Sequence, residues 1–193
     1  MTFAEFYSEL QKREAVDQRP LVHAWPDELI NRLAEDFTQT VGFQSLKGAI
    51  CPLRPGSSNQ SVGNQVEAFV VPKLVAGLTK CRLGKCRGAG YPDQQLKVGD
   101  LLIPLEVKAT GDWNPSDSNR RVLTSSSEKI RARFQPPIHH LLCTVLYAAG
   151  AEGARIEAIR LDFLQPDSLA NVRLEASVSH KLLATGSHHS VII

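Results

Sequence analysis

Apolar residues recur at helical spacing in three stretches near the start of the chain, and alternation or continuous apolar runs take over in the second half. Thr2-Phe3-Ala4-Glu5 has the form of a capping box, and Phe3, Phe6, Tyr7 and Leu10 follow it on one helical face. Trp25-Pro26-Asp27-Glu28 opens a second helix, with proline and acids in the first turn and an apolar stripe of Leu29, Ile30, Leu33 and Phe37. Residues 42–60, which contain Pro52, Pro55, Gly56, Ser57 and Ser58, are expected to form a loop. The next stripe predicts a helix from Val62 to Leu78, with Val62, Val66, Phe69, Val70, Leu74 and Leu78 inward and a kink or break at Pro72.

Beyond this helix the period changes to two. Gly99-Asp100 is flanked by apolar-rich runs, and glycine as the first of two central residues suits a type II′ hairpin turn. In that register opposed residue numbers sum to 199, so Val98 faces Leu101 and Asp93 faces Glu106. Leu101, Ile103, Leu105, Val107 and Ala109 then form the core face, while Glu106 and Lys108 share the other. Pro104 lies in the second strand, where a bulge would alter this register. Ser126 or Ser127 is placed to cap a short basic helix through Lys129, Arg131 and Arg133, which Pro136-Pro137 stops. His139 to Ala148 is expected to be a buried central strand, reached from Lys108 by a connection long enough for a parallel crossover. Arg155 to Leu164 predicts a further strand; Leu174 to Ala184 leaves strand and amphipathic segment open. The apolar tail at 188–193 is expected to dock, a partner subunit being one place for it.

Opposed carboxylates about 4.5–5.5 Å apart at Cβ repel one another, and a hard divalent cation with oxygen ligands is one common remedy. Asp93, Glu106 and Lys108 together therefore suggest a metal-dependent hydrolytic site. This arrangement resembles the PD-(D/E)xK nuclease superfamily, with Pro92-Asp93 as one half of the signature and Glu106-Val107-Lys108 as the other. The resemblance covers about residues 59–148. It implies a restriction-endonuclease-like core in which Asp93, Glu106 and the Val107 carbonyl hold Mg²⁺ and Lys108 orients and polarises the attacking water. Glu67, on the helix ahead of the hairpin, resembles the family's third acid, as a further ligand or as an anchor behind the ligands.

Lys80, Arg82, Lys85 and Arg87 lie in a basic Gly-containing stretch, Lys80 to Gly88, that predicts a phosphate-contacting loop. Residues 111–125 lack periodicity and also predict a loop, in which Asn119, Arg120 and Arg121 are residue types that read bases or grip phosphates. Lys129 joins the same DNA-binding set.

The 193 residues, 42% hydrophobic and 22% charged, suit one globular α/β domain built on a mixed sheet flanked by helices. Residues 1–58 would be an N-terminal helical part, 59–164 the catalytic core and 165–193 a C-terminal extension. A net charge of +2 means that any DNA surface comes from local clustering. Four cysteines do not make a disulfide framework, and Cys81 and Cys86 lack the partner spacing of a zinc knuckle. His139 and His140, as strand neighbours, point to opposite faces and are poorly placed to share an ion. No signal peptide or membrane span is evident, so a cytoplasmic protein without a membrane partner is expected. No nucleotide cofactor is expected either. Within the superfamily, a small free-standing chain looks most like a type II restriction endonuclease cutting double-stranded DNA as a homodimer, with the N-terminal helices available for dimerisation. A structure-selective repair or junction-resolving nuclease, and a catalytically silent DNA-binding module, are the alternatives.

Overall fold

The computed structural model describes residues 1–40, 46–88, 90–112, 122–125, 127–174, 180–185 and 189–193, with the backbone alone at 122–125, 171–174, 180–185 and 189. Asn119, Arg120 and Arg121 lie outside the described residues.

Helix α1 (Phe3–Arg13) begins with the expected capping box: the Glu5 N–H donates to the Thr2 hydroxyl, and the Thr2 N–H donates to the Glu5 carboxylate. Helix α2 (Asp27–Thr38) follows Pro26 and buries Ile30, Leu33 and Phe37. A two-residue strand β1 (Ile50–Cys51) interrupts the expected loop, and α3 (Asn59–Gly77) begins three residues before the first apolar position, capped by Ser58. Pro72 does not break α3, which leaves a kink as the other expected outcome. Its ring and the Ala68 turn it faces are both exposed, so water can satisfy the carbonyl that loses its donor.

Strands β2 (Arg82–Lys85), β3 (Gln94–Val98) and β4 (Leu101–Thr110) form an antiparallel meander, and the hairpin has the expected register throughout, from Val98↔Leu101 to Gln94↔Leu105. Gly99 has φ of +60° while Asp100 is not left-handed, as a type II′ turn requires. Pro104 causes no bulge. It sits opposite Gln95 in a non-hydrogen-bonded pair, and pairing on the other edge of β4 starts only at Leu105, so no ladder donor is missing.

The Lys80–Gly88 stretch is not wholly a loop, because β2 lies within it. Within β2 only Leu83 turns into the core, too short an alternation to stand out between basic residues. A short, charged strand also suits the sheet edge that β2 occupies. The 111–125 stretch likewise contains a strand, β5 (Val122–Ser125).

After helix α4 (Ser127–Arg133), strand β6 (His140–Gly150) runs parallel to β4, as expected, and β7 (Gly153–Leu164) returns antiparallel to β6. Strands β8 (Leu169–Leu174) and β9 (His180–Thr185) join β5 in a small antiparallel sheet, so of the two open readings of residues 174–184 the strand holds at Leu174 and over 180–184. The C-terminal strand β10 (His189–Ile192) adds to β7, so the apolar tail docks on its own chain. The main sheet is mixed and runs β1–β7–β6–β4–β3–β2, with β10 beside β1 along β7.

Each face of this sheet carries its own core. Ile103, Leu105 and Val107 of β4, with Leu141, Cys143 and Val145 of β6, pack under α2 and α3. The opposite face, through His140 and Leu164, receives α1 and α4: Phe3, Phe6, Tyr7, Leu10, Ile130 and Phe134 are all buried there. The apolar faces of α1 and α2 are therefore packed within the chain. Cys51, Cys81, Cys86 and Cys143 are free and buried. Among the described residues no helix is long and apolar enough to cross a membrane.

Candidate active site

The hairpin register makes Asp93 the next residue beyond Gln94↔Leu105, opposite Glu106, and the main chain of Asp93 reaches the Glu106 carboxylate. The Asp93 N–H donates to Glu106 Oε2 at 3.1 Å, while Lys108 Nζ lies 2.6 Å from Glu106 Oε1. Both oxygens of a carboxylate with 5% exposure are thus held, one by each of the other two signature residues. On the other edge of the site, Glu67 Oε1 accepts from the Ala109 N–H at 3.1 Å. That N–H is available because β3 ends its pairing at Leu105, leaving the outer edge of β4 open from residue 107 on. By the same alternation the Val107 carbonyl faces this open edge.

The electrostatics follow from burial. Burial raises the Glu106 carboxyl above its ordinary value, against the pull of Lys108, and Asp93 adds to the rise. Burial also lifts Glu67 to about 7, with Lys108 and the Ala109 N–H opposing and Glu106 and Asp93 reinforcing. Burial alone would depress Lys108, but Glu106, Glu67 and Asp93 outweigh it, so the ammonium form is favoured. Three acids and one cation share the site, which leaves excess negative charge in a partly dry place.

Glu67 gives a test of this description. Its folded-state pKa lies above its unfolded value of 4.5, so the folded protein favours the protonated form and loses stability as pH rises through about 7. Glu67→Gln keeps an oxygen for the Ala109 N–H and removes the charge. It should stabilise the protein by about 1–2 kcal/mol at pH 8, after allowance for partial exposure, and by nothing at pH 4. Thermal melts of both proteins across that range would check this, and a gain independent of pH would contradict it.

The donor set is oxygen only: two carboxylates and a main-chain carbonyl, which suits Mg²⁺ with water completing the shell. Among the described residues no three His, Cys, Asp or Glu side chains converge as a metal cage. What Glu67 does here is hold the Ala109 N–H of β4.

The proposed DNA-contacting residues divide. Arg82, Lys85 and Arg87 are exposed on or beside edge strand β2. Lys80 pairs with Glu35, and its N–H donates to Asp36. Lys129 is turned inward: Nζ donates to the carbonyls of Gly88 at 3.1 Å and Gly90 at 2.6 Å. Arg131 and Arg133 of the same helix contact Glu14 and Gln95.

Two residues outside the signature also bear on the site. Tyr91 is buried, and its hydroxyl lies 2.7 Å from His140 Nδ1. His140 Nε2 lies 2.7 Å from the Leu21 carbonyl. A carbonyl can only accept, so Nε2 carries the proton and Nδ1 accepts from Tyr91. Burial depresses His140 to about 4, which keeps it neutral and excludes it from proton exchange near neutrality. No family model matches the chain, and no curated protein does.

Proposed function

We propose that the chain is a Mg²⁺-dependent endonuclease that hydrolyses phosphodiester bonds in double-stranded DNA, with a sequence-specific type II restriction enzyme as the best-supported kind. The observation that carries this is the buried Glu106 carboxylate, which holds Lys108 on one oxygen and the main-chain N–H of Asp93 on the other, with Asp93 close enough to raise its carboxyl further. An ordinary surface ion pair would not have a carboxylate 5% exposed, nor one raised further by a second acid nearby. Helix α3, the β2–β3–β4 meander, helix α4 and parallel strand β6 also come in the order that suits the nuclease resemblance.

Asp93, Glu106 and the Val107 carbonyl would hold the ion, which supplies Lewis acidity and lowers the pKa of a bound water. Lys108 remains a cation, held at Glu106, and can orient a water and offset charge that develops on the phosphate. Glu67 fixes the open edge of β4, and so the direction of the Val107 carbonyl, through the Ala109 N–H. The exposed Arg82, Lys85 and Arg87 supply positive charge for the DNA backbone.

The direct experiment incubates the protein with mixed plasmid and phage DNA in Mg²⁺ and in EDTA. Discrete fragments in Mg²⁺ alone are expected. A smear with the same Mg²⁺ dependence would favour a structure-selective or non-specific nuclease, and binding without cleavage a silent DNA-binding module. Light scattering with and without DNA tests the homodimer, which would need a surface other than the buried faces of α1 and α2.

A further inference from the structure

Asp93 is delivered by the segment after β2, whose described residues, 86–88 and 90–93, belong to no strand. Something must therefore hold it at Glu106. The Cys86 N–H donates to the Asp93 carbonyl at 2.8 Å and closes the segment into a loop. From α4, Lys129 grips the Gly88 and Gly90 carbonyls. From inside, Tyr91 donates to His140 and stacks on it with centroids 5.8 Å apart and planes 20° from parallel.

His140 is itself fixed on every side. Phe3 meets its ring edge-on at 5.0 Å, Tyr7 lies at 5.5 Å, and the Leu21 carbonyl takes its only proton. Its own carbonyl accepts from Trp25 Nε1 at 3.1 Å. It opens β6, whose next residue, Leu141, pairs with Leu105 beside Glu106. A continuous path thus runs from α1 and the Leu21–Trp25 segment through His140 and Tyr91 to Asp93.

We propose that Tyr91 and His140 are positioning residues that tie Asp93 to β6 and to the docked N-terminal segment, while Lys129 clamps the same loop from α4. Residues 1–25 are then part of what assembles the site. The proposal rests on the nuclease reading for its effect on cleavage alone, because the placement of Asp93 can be measured without activity.

The test compares wild type with Tyr91→Phe, which keeps the ring and removes the hydroxyl, and with Lys129→Met, which leaves the core untouched. Ile159→Val, in the opposite core, controls for general loss of stability. Amide hydrogen exchange should show the Asp93 and Cys86 N–H groups losing protection about tenfold or more in both loop variants, with β6 and β7 amides unchanged. Ile159→Val should leave the two loop amides as they are. Where the wild type cleaves DNA, both loop variants should lose about tenfold in kcat with KM little changed. Unchanged protection at Asp93 in both variants would overturn the proposal. So would lost protection with undiminished cleavage by an active wild type. If the wild type does not cleave, the nuclease reading fails, and the exchange data still decide whether Tyr91 and Lys129 place Asp93.

Discussion

Glu106→Ala is expected to cut DNA cleavage in Mg²⁺ by about a thousandfold or more, with the fold intact. The loss removes a carboxylate of the proposed ion site and the group that holds Lys108 and the Asp93 N–H. Lewis-acid stabilisation is worth several kcal/mol, and about 1.4 kcal/mol is tenfold in rate. Stability should move little, because Glu106 is a strained group in the free protein: burial and Asp93 both work against its charge. Lys108 keeps Glu67 and Asp93 as electrostatic partners. The measurement is a cleavage time course beside a thermal melt of the same preparation. Full activity in the variant would remove Glu106, and with it the nuclease reading, from the centre of the site.

Asp36→Ala should do the reverse, destabilising the protein by about 3–5 kcal/mol, a drop in Tm of roughly 10 °C. Asp36 is fully buried on α2, yet its two oxygens accept from the N–H groups of Thr79, Lys80 and Cys81 and from the Thr79 hydroxyl. Burial pushes its carboxyl up, and these donors more than offset that, so the net shift is downward. Stability from such a group is present above the unfolded value of 3.8 and is lost as pH falls through the folded one. Alanine would leave three main-chain donors, one buried and two partly buried, without an acceptor. Asn would rescue little, since its NH₂ would confront the donors of Lys80 and Cys81. Guanidinium melts of wild type, Asp36→Ala and Asp36→Asn at pH 7 would check the order, and a loss below 1 kcal/mol would contradict it.

What could be read from the chain was what local chemistry specifies. The Thr2–Glu5 capping box and the Gly99-Asp100 turn each lie within a few residues, and the turn fixes every pairing out to Asp93 and Glu106. Parallel pairing of β6 with β4 followed from the length of the connection. The strand in Arg82–Lys85 was hidden because a single leucine carries its inward face. The β5–β9–β8 sheet lacked a clear period. Within the site, the signature residues were legible, and their supports were not. Tyr91 meets His140 across 49 positions, and Lys129 meets Gly90 across 39. No spacing rule links residues so far apart; only Tyr91 next to Pro92-Asp93 and His140 at the head of an apolar run hinted at a role. Lys129 looked like a ligand for phosphate because a lysine on a basic helix carries no mark of which way it turns.

The pairing of His140 with Leu21 spans 119 positions, and that of Trp25 with Gln165 spans 140. During synthesis the first twenty-five residues therefore emerge long before their binding surface exists. The β3–β4 hairpin, with its two-residue turn, can close early, whereas α1 must wait for β6 and the end of β7. Docking of α1 is thus a late folding event, and the nascent chain carries its hairpin carboxylates without the brace behind Tyr91 until His140 has emerged.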